Sequence, residues 1–118
     1  MARVSGTHNG VFNGSDTTGV GAAQAVLAAG PKVSPIMTAT DFQIDTEKFM
    51  REGIITMAVL QSTVTIGRWG IRAAVNHLEG RRVPGVLATP LLVATKENLD
   101  TIDMAAFRAP AGWTPPAR

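Results

Sequence analysis

The sequence predicts an α/β fold with a mainly parallel sheet and flanking helices. Three observations carry that expectation. Strand-like and helix-like segments alternate in the order β-α-β-α-β-α-β, and helical crossovers are what parallel strands require. The run Ile54-Ile-Thr-Met-Ala-Val-Leu60 is almost unbroken in apolar character, as suits a strand covered on both faces. Residues 10–30 pass from a short apolar strand through a polar Asn13-Gly-Ser-Asp16 turn into a small-residue helix stopped by a glycine. A polar loop then faces a helix N-terminus at the carboxyl end of a strand, where open α/β sheets bind ligands.

Each element has its own justification. Residues 1–9 read as an irregular lead-in and 10–14 as the first strand. Asp16 or Ser15 is a helix N-cap, and Gly30-Pro31 is a stop. Between them Val20, Ala23, Val26 and Leu27 share one face, and the many alanines and glycines favour close packing on a sheet. Residues 32–38 form the second strand, although Pro35 lacks the N–H a central strand uses. A polar loop over 39–45 leads to a short helix over 46–52 that ends at Gly53. The strand over 54–60 follows. Gln61-Ser-Thr introduces the longest helix, about residues 64–79, in which Val64, Gly67, Ile71, Ala74, Val75 and Leu78 recur at helical spacing. Arg68, Arg72 and Asn76 lie on another face. After a Pro84-Gly85 turn, residues 86–94 form the last strand, interrupted by Pro90. Residues 95–100 are a polar loop, 101–108 one or two helical turns, and 109–118 a Pro-rich tail.

Bulk composition narrows the function. The 118 residues amount to one domain or part of one. At 45% apolar and 17% charged, the chain is too apolar for a disordered segment. The net charge is +2 and the basic residues are scattered, with Arg81-Arg82 the one adjacent pair, so no basic stripe suggests a nucleic-acid partner. Without cysteine, disulfides, thiolate metal sites and Cys nucleophiles are excluded. His8 and His77 stand far apart without metal-ligand spacing, and no cofactor motif is present. No apolar run approaches the ~20 residues needed to cross a bilayer, so membrane insertion is not expected. Met1-Ala-Arg-Val-Ser-Gly6 leads into no apolar core and is not a signal peptide.

Most of the motifs have a plainer structural reading. Gly19-Val-Gly21-Ala-Ala-Gln24 begins like a dinucleotide fingerprint, but its third glycine is absent and its glycines lie within the helix, which favours helix packing. Ser15 does not sit in a Gly-x-Ser-x-Gly elbow. Asp45 and Glu47 suit capping and charge-matching of a helix N-terminus. Asp41 lies beyond a strand end, and a carboxylate there can accept two hydroxyl hydrogen bonds. Gln61 follows a buried strand and offers two donors and an acceptor. Ser15, Asp41 and Gln61 follow three successive strands and are therefore the candidate ligand-binding residues, with no catalytic or metal-binding group among them. Trp69 and Trp113 are candidates for stacking on a sugar face; for Trp69 a partner surface serves equally.

At these spacings the chain resembles the C-terminal portion of a periplasmic sugar-binding protein of the ribose-binding type. The resemblance runs through Val11-Phe-Asn-Gly-Ser15-Asp16 with Val20-Gly-Ala, Asp41, Arg51-Glu52-Gly53, and Thr56-Met-Ala-Val-Leu-Gln61. It continues through Ile66-Gly-Arg-Trp-Gly70, Leu78-Glu-Gly80 and Val93-Ala-Thr-Lys-Glu-Asn-Leu-Asp100. Each motif alone is weak; the ordered series over residues 10–100 is specific. The resemblance implies a partial C-terminal lobe of a type I periplasmic binding protein. It implies a solute-binding component of an ABC-type sugar transporter that holds a monosaccharide and meets a permease in the periplasm. A family aspartate and hinge glutamine that bind sugar carry over to Asp41 and Gln61. Where the family often has a sugar-bonding Asn, this chain has Ser15, and its Gly-Phe-Asp-Gly loop is Ala39-Thr40-Asp41-Phe42 here.

The same resemblance implies that a first lobe would precede residue 10, so the chain reads as a truncated homologue or fragment. The segment after Gln61 would pack on that lobe, leaving the Val64, Ile71, Val75 and Leu78 stripe without a cover of its own. Four such side chains each forgo about 1.5–3 kcal/mol of burial, so the chain is expected to self-associate through this face, to swap elements, or to pair with a missing part. Three polar contacts of roughly 1–2 kcal/mol each fall short of the ~8 kcal/mol of a micromolar site, so monosaccharide binding by this chain alone is expected to be millimolar or undetectable. The alternative is the effector-binding domain of a sugar-responsive transcriptional repressor. No helix-turn-helix head supports it, and a flavodoxin-like enzyme or response-regulator module would need a phosphate loop or an acidic pocket with a lysine.

Overall fold

The computed structural model describes residues 10–108; the expected lead-in over 1–9 and the Pro-rich tail with Trp113 lie outside the described residues. The element order is β1 (Gly10–Phe12), α1 (Asp16–Ala29), β2 (Ile36–Thr40), α2 (Ile44–Arg51), β3 (Met57–Gln61), α3 (Thr63–Leu78), β4 (Leu91–Thr95) and α4 (Met104–Arg108). The strands form one sheet in the order β1-β2-β3-β4, with β1/β2 and β2/β3 parallel. This is the expected alternation and fold class. The chain divides into two compact units, one of residues up to Leu60 with Leu92–Ile102, the other of Gln61–Leu91 with the segment from Asp103 onward.

In the first unit the register sets the core. Val11 pairs with Met37 and Ala39 with Ala58, so these side chains share one face of the sheet. Met37, Ala39, Ala58 and Leu60 are buried there, with Ala23 and Val26 of α1 and Phe49 and Met50 of α2 supplying the buried residues of the helices. α1 packs on β2 and on α2. It does so closely, because a Cβ added at Gly19 would stand 3.1 Å from the Ala39 Cβ. The opposite face is treated differently. Phe12 is 82% exposed and Ile36 is 63% exposed, although a parallel strand usually has both faces covered.

Several boundaries differ from expectation. β1 ends at Phe12 rather than residue 14, and the next residue, Asn13, still donates its N–H to the Thr38 carbonyl. β2 begins after Pro35, not at residue 32, since a residue without an N–H cannot join the ladder. α2 starts two residues early, at Ile44, with Gln43 at the N-cap and no side-chain cap bond; Asp45 and Glu47 sit in the first turn and match the helix dipole without capping it. Gly53, at φ 79, lets the chain leave α2, and the N–H groups of Ile54 and Ile55 both donate to the Phe49 carbonyl. Those two isoleucines therefore belong to the turn, and β3 runs from Met57 through Gln61. Its burial alternates, with Ala58 and Leu60 inward. Pro90 does not interrupt the last strand but precedes it.

The loop after β4 is tied by side chains. The Thr95 N–H donates to Asn98 Oδ1 at 2.7 Å, and Asn98 Nδ2 donates to the Val93 carbonyl at 3.0 Å. Arg51 of α2 pairs with Glu47 at 2.8 Å and with Asp100 at 2.9 Å, which anchors the loop to the helix. Hydrogen bonding to Asp100 and then Glu47 holds the guanidinium above its ordinary pKa.

The second unit is built on α3, with α4 packed against it. The inward residues of α3 are Thr65 and Asn76, with Trp69 half-buried on the same side. Val64, Ile71, Val75 and Leu78 are all exposed. Asn76, expected on a face other than that of the aliphatic stripe, is buried there. Its Oδ1 accepts from Arg81 Nε at 2.8 Å, and its backbone carbonyl accepts from the Arg81 N–H, so the residues after the helix fold back onto its last turn. Arg81 also pairs with Glu79.

Candidate functional site

The carboxyl ends of β1 and β2 are fastened together by Asn13, which is 7% exposed. Its Nδ2 and its backbone N–H both donate to the Thr38 carbonyl, at 2.8 and 3.2 Å, and its own carbonyl accepts from Thr40 Oγ1 at 3.2 Å. These bonds hold the two strand ends in register just where the chain turns outward. Asn13 was not among the candidate site residues; its signal was a polar residue ending an apolar strand.

Ser15 stands two residues beyond, at the N-cap of α1 with φ −152 and ψ 162. Its Oγ accepts from the Thr18 N–H at 3.3 Å and lies 3.1 Å from Thr18 Oγ1, while Thr18 Oγ1 donates to the Ser15 carbonyl at 2.9 Å. Ser15, not Asp16, is therefore the cap. Asp16 instead accepts from the Thr17 N–H at 2.6 Å in the first turn. The cap leaves Ser15 half-exposed with its O–H donor turned toward a neighbouring hydroxyl, a group that can exchange that bond for one to a ligand hydroxyl.

Asp41 follows β2 directly. Its φ of 67 places it in the left-handed region, where it is the one non-glycine residue among those described. Aspartate tolerates this conformation better than most residues. Its N–H donates to the Val59 carbonyl at 2.8 Å, which extends the β2/β3 ladder by one bond and fixes where the residue leaves the sheet. Ser15 and Asp41 thus both belong to the first unit, at the carboxyl ends of the neighbouring strands β1 and β2.

Gln61 is exposed and closes β3 rather than following it. With it the chain enters the second unit. Ser62, the next residue, is 2% exposed and caps α3: its Oγ accepts from the Thr65 N–H at 3.4 Å and donates to Thr65 Oγ1 at 2.8 Å. The same Ser-x-x-Thr cap opens α1 and α3, so one local device fixes the chain beside both Ser15 and Gln61.

Two cavities of the first unit have neither Ser15 nor Asp41 in their lining. A groove of about 540 Å³ between β1 and α1 is lined by Val11, Asn13, Thr18 and the small residues Gly21, Ala22 and Ala25, and does not include Ser15 or Asp41. Another of about 430 Å³ lies at the opposite end of the strands, against Val26, Val33, Pro35 and Ile54. Among the described residues no cluster of His, Asp and Glu could hold a metal ion. No described helix is long and apolar enough to cross a membrane.

Residues 2–82 match the family model described as a periplasmic binding protein domain. The chain is 25% identical over 96 residues to the periplasmic protein TorT of Escherichia coli K12, a match that covers 80% of this chain and 28% of TorT. It superposes with a TM-score of 0.74 on an ABC transporter solute-binding protein of Agrobacterium vitis bound to α-D-tagatopyranose, at 29% identity over 85% of this chain and 34% of that one. A second solute-binding protein of the same organism, with bound D-fucose, shares the fold at a TM-score of 0.70 and 24% identity, covering 87% of this chain and 35% of that one. The chain therefore spans about a third or less of the length of each of these proteins.

Proposed function

The chain belongs to the periplasmic binding protein domain family, and from that premise we propose that it acts as a solute-binding component of an ABC-type sugar transporter, contributing part of a monosaccharide site. The observation that carries the reading is the 0.74 superposition, at 29% identity, on a solute-binding protein that holds a pyranose. The ligand-contacting groups are Ser15, Asp41 and Gln61, each at the carboxyl end of a successive strand. Asp41 accepts two sugar hydroxyls, the Gln61 amide both donates and accepts, and Ser15 donates its O–H while its Oγ remains the α1 cap. The task is capture and release to a permease in the periplasm, with no bond made or broken. The exposed α3 face belongs to the same reading as a surface for association.

Three contact residues worth roughly 1–2 kcal/mol each fall short of the ~8 kcal/mol of a micromolar site, so millimolar affinity is expected of this chain. NMR titration with D-tagatose and a panel of pentoses and hexoses to about 100 mM tests this. Saturable shifts confined to the amides around Ser15, Asp41 and Gln61, abolished by Asp41→Ala, are expected. Absence of any saturable shift in that region would refute the proposal, and micromolar binding seen by calorimetry would refute the three-contact site.

A further inference from the structure

Asparagine is a thermolabile residue, most of all before glycine, whose bare nitrogen reaches the side-chain amide carbon unhindered. Asn13 stands in that position, before Gly14. Nothing in the fold calls for glycine at 14. Its φ is not positive, and a Cβ added there meets nothing within 4 Å. Asn13, by contrast, is 7% exposed and tied at three points. Its Nδ2 and backbone N–H both donate to the Thr38 carbonyl, at 2.8 and 3.2 Å, and its own carbonyl accepts from Thr40 Oγ1 at 3.2 Å. The first of these bonds holds the side chain toward β2, and the last holds the peptide plane between residues 13 and 14. Rotation of that side chain and of that plane is what closure of a ring onto the Gly14 nitrogen requires.

We infer that Asn13 is a deamidation site that the fold keeps shut and that local opening of β1 exposes. The inference is independent of sugar recognition, and the reaction needs only water as co-reactant. The Gly14 nitrogen gives up its proton and forms a bond to Asn13 Cγ. The Cγ–Nδ2 bond breaks, and ammonia leaves with that proton. Water then adds to either carbonyl of the five-membered imide and opens it to aspartate or isoaspartate. The net change is amide plus water to carboxylate plus ammonium. Opening is local because β1 has three residues and, among the described strands, pairs with β2 alone. The outcome is one-way. A carboxylate has no N–H to return to the Thr38 carbonyl, so two acceptors face each other where a donor met an acceptor. Isoaspartate also adds a methylene to the main chain where β1 leaves the sheet. Each opening can therefore fix the strand ends apart, just before the Ser15 cap.

The test incubates the whole chain in mildly alkaline buffer, with and without concentrated urea. Tandem mass spectrometry follows residue 13 and separates it from Asn9-Gly10, the other Asn-Gly pair. Deamidation of Asn13 is expected to run at least about tenfold faster in urea than in buffer. Thr40→Val removes the hydroxyl that holds the Asn13 carbonyl; it should raise the rate in buffer about threefold or more and leave the rate in urea unchanged. Gly14→Ala should slow both rates, with an unchanged circular dichroism spectrum. Equal rates in buffer and urea overturn the inference, as does a Thr40→Val chain that reacts in buffer no faster than the parent. The consequence is read by hydrogen exchange: in the deamidated chain the amides of β1 and β2 should exchange faster than in the parent. Exchange identical to the parent's overturns the one-way step.

Discussion

A hydroxyl that caps a helix has one acceptor position committed, and Ser15 must serve α1 before it can serve a ligand. Ser15→Ala should lower stability by about 1 kcal/mol, read by urea denaturation, because the Thr18 N–H loses its acceptor. Ser15→Asn should preserve stability, since asparagine caps equally well, while adding an amide that strengthens the sugar response in the NMR titration. Asp41 joins backbone and side-chain duties in a similar way. At φ 67, Asp41→Asn should be tolerated, whereas Asp41→Val should cost roughly 1–2 kcal/mol by the same measurement. Glu97 gives a pH-dependent signal: its hydrogen bond with Thr95 holds its carboxyl below the ordinary range. A folded-state pKa below the unfolded value means that this stabilisation is present above the unfolded pKa and is lost as pH falls through the folded one. In Thr95→Val the Glu97 carboxyl should titrate higher by NMR. None of these second duties can be read from residue type. Ser15 and Asp41 were legible as polar residues past strand ends, but the left-handed backbone at Asp41 depends on the Val59 carbonyl of a strand 18 residues away.

At the scale of elements, α1 shows how one helix treats the same residue in opposite ways. Gly19 faces Ala39 at close range, and Gly21 has open space. Gly19→Val should destabilise by about 1–3 kcal/mol through overpacking, and Gly21→Ala should stabilise by about 0.5–1 kcal/mol through helix propensity; paired denaturation curves of opposite sign would establish it. The end of helix α1 was legible because its stop signal is local: Gly30 adopts φ 86, a conformation that side chains oppose; its start was legible only to within the choice of Ser15 or Asp16 as the cap. The strands were less legible. The apolar pattern puts Pro35 and Pro90 inside strands, yet both stand just before them, and it carries β3 back to Ile54 and Ile55, whose N–H groups both go to the Phe49 carbonyl. An apolar run identifies what is buried, not which backbone partner its N–H groups find. α3 was legible as a helix with an uncovered stripe. Its buried Asn76 was not, because the burial follows from Arg81 folding back on it.

For the molecule as a whole, the first unit holds an apolar core on one side of its sheet, whereas the buried residues of α3 are Thr65 and Asn76. Local opening free energies should differ accordingly. Hydrogen exchange at low protein concentration should find the amides of α1, β2 and β3 protected more strongly than those of α3. Equal protection of the two units would contradict this picture. The unequal faces of the sheet have one more consequence, for tolerance to change. Phe12 and Ile36 project from the open face, so replacing them with serine and threonine should leave the purified chain as stable as before. In a library of variants scored by abundance inside the cell, these two positions report on the setting of the chain: tolerance marks a face that stays wet, and intolerance marks one that something in the cell keeps dry.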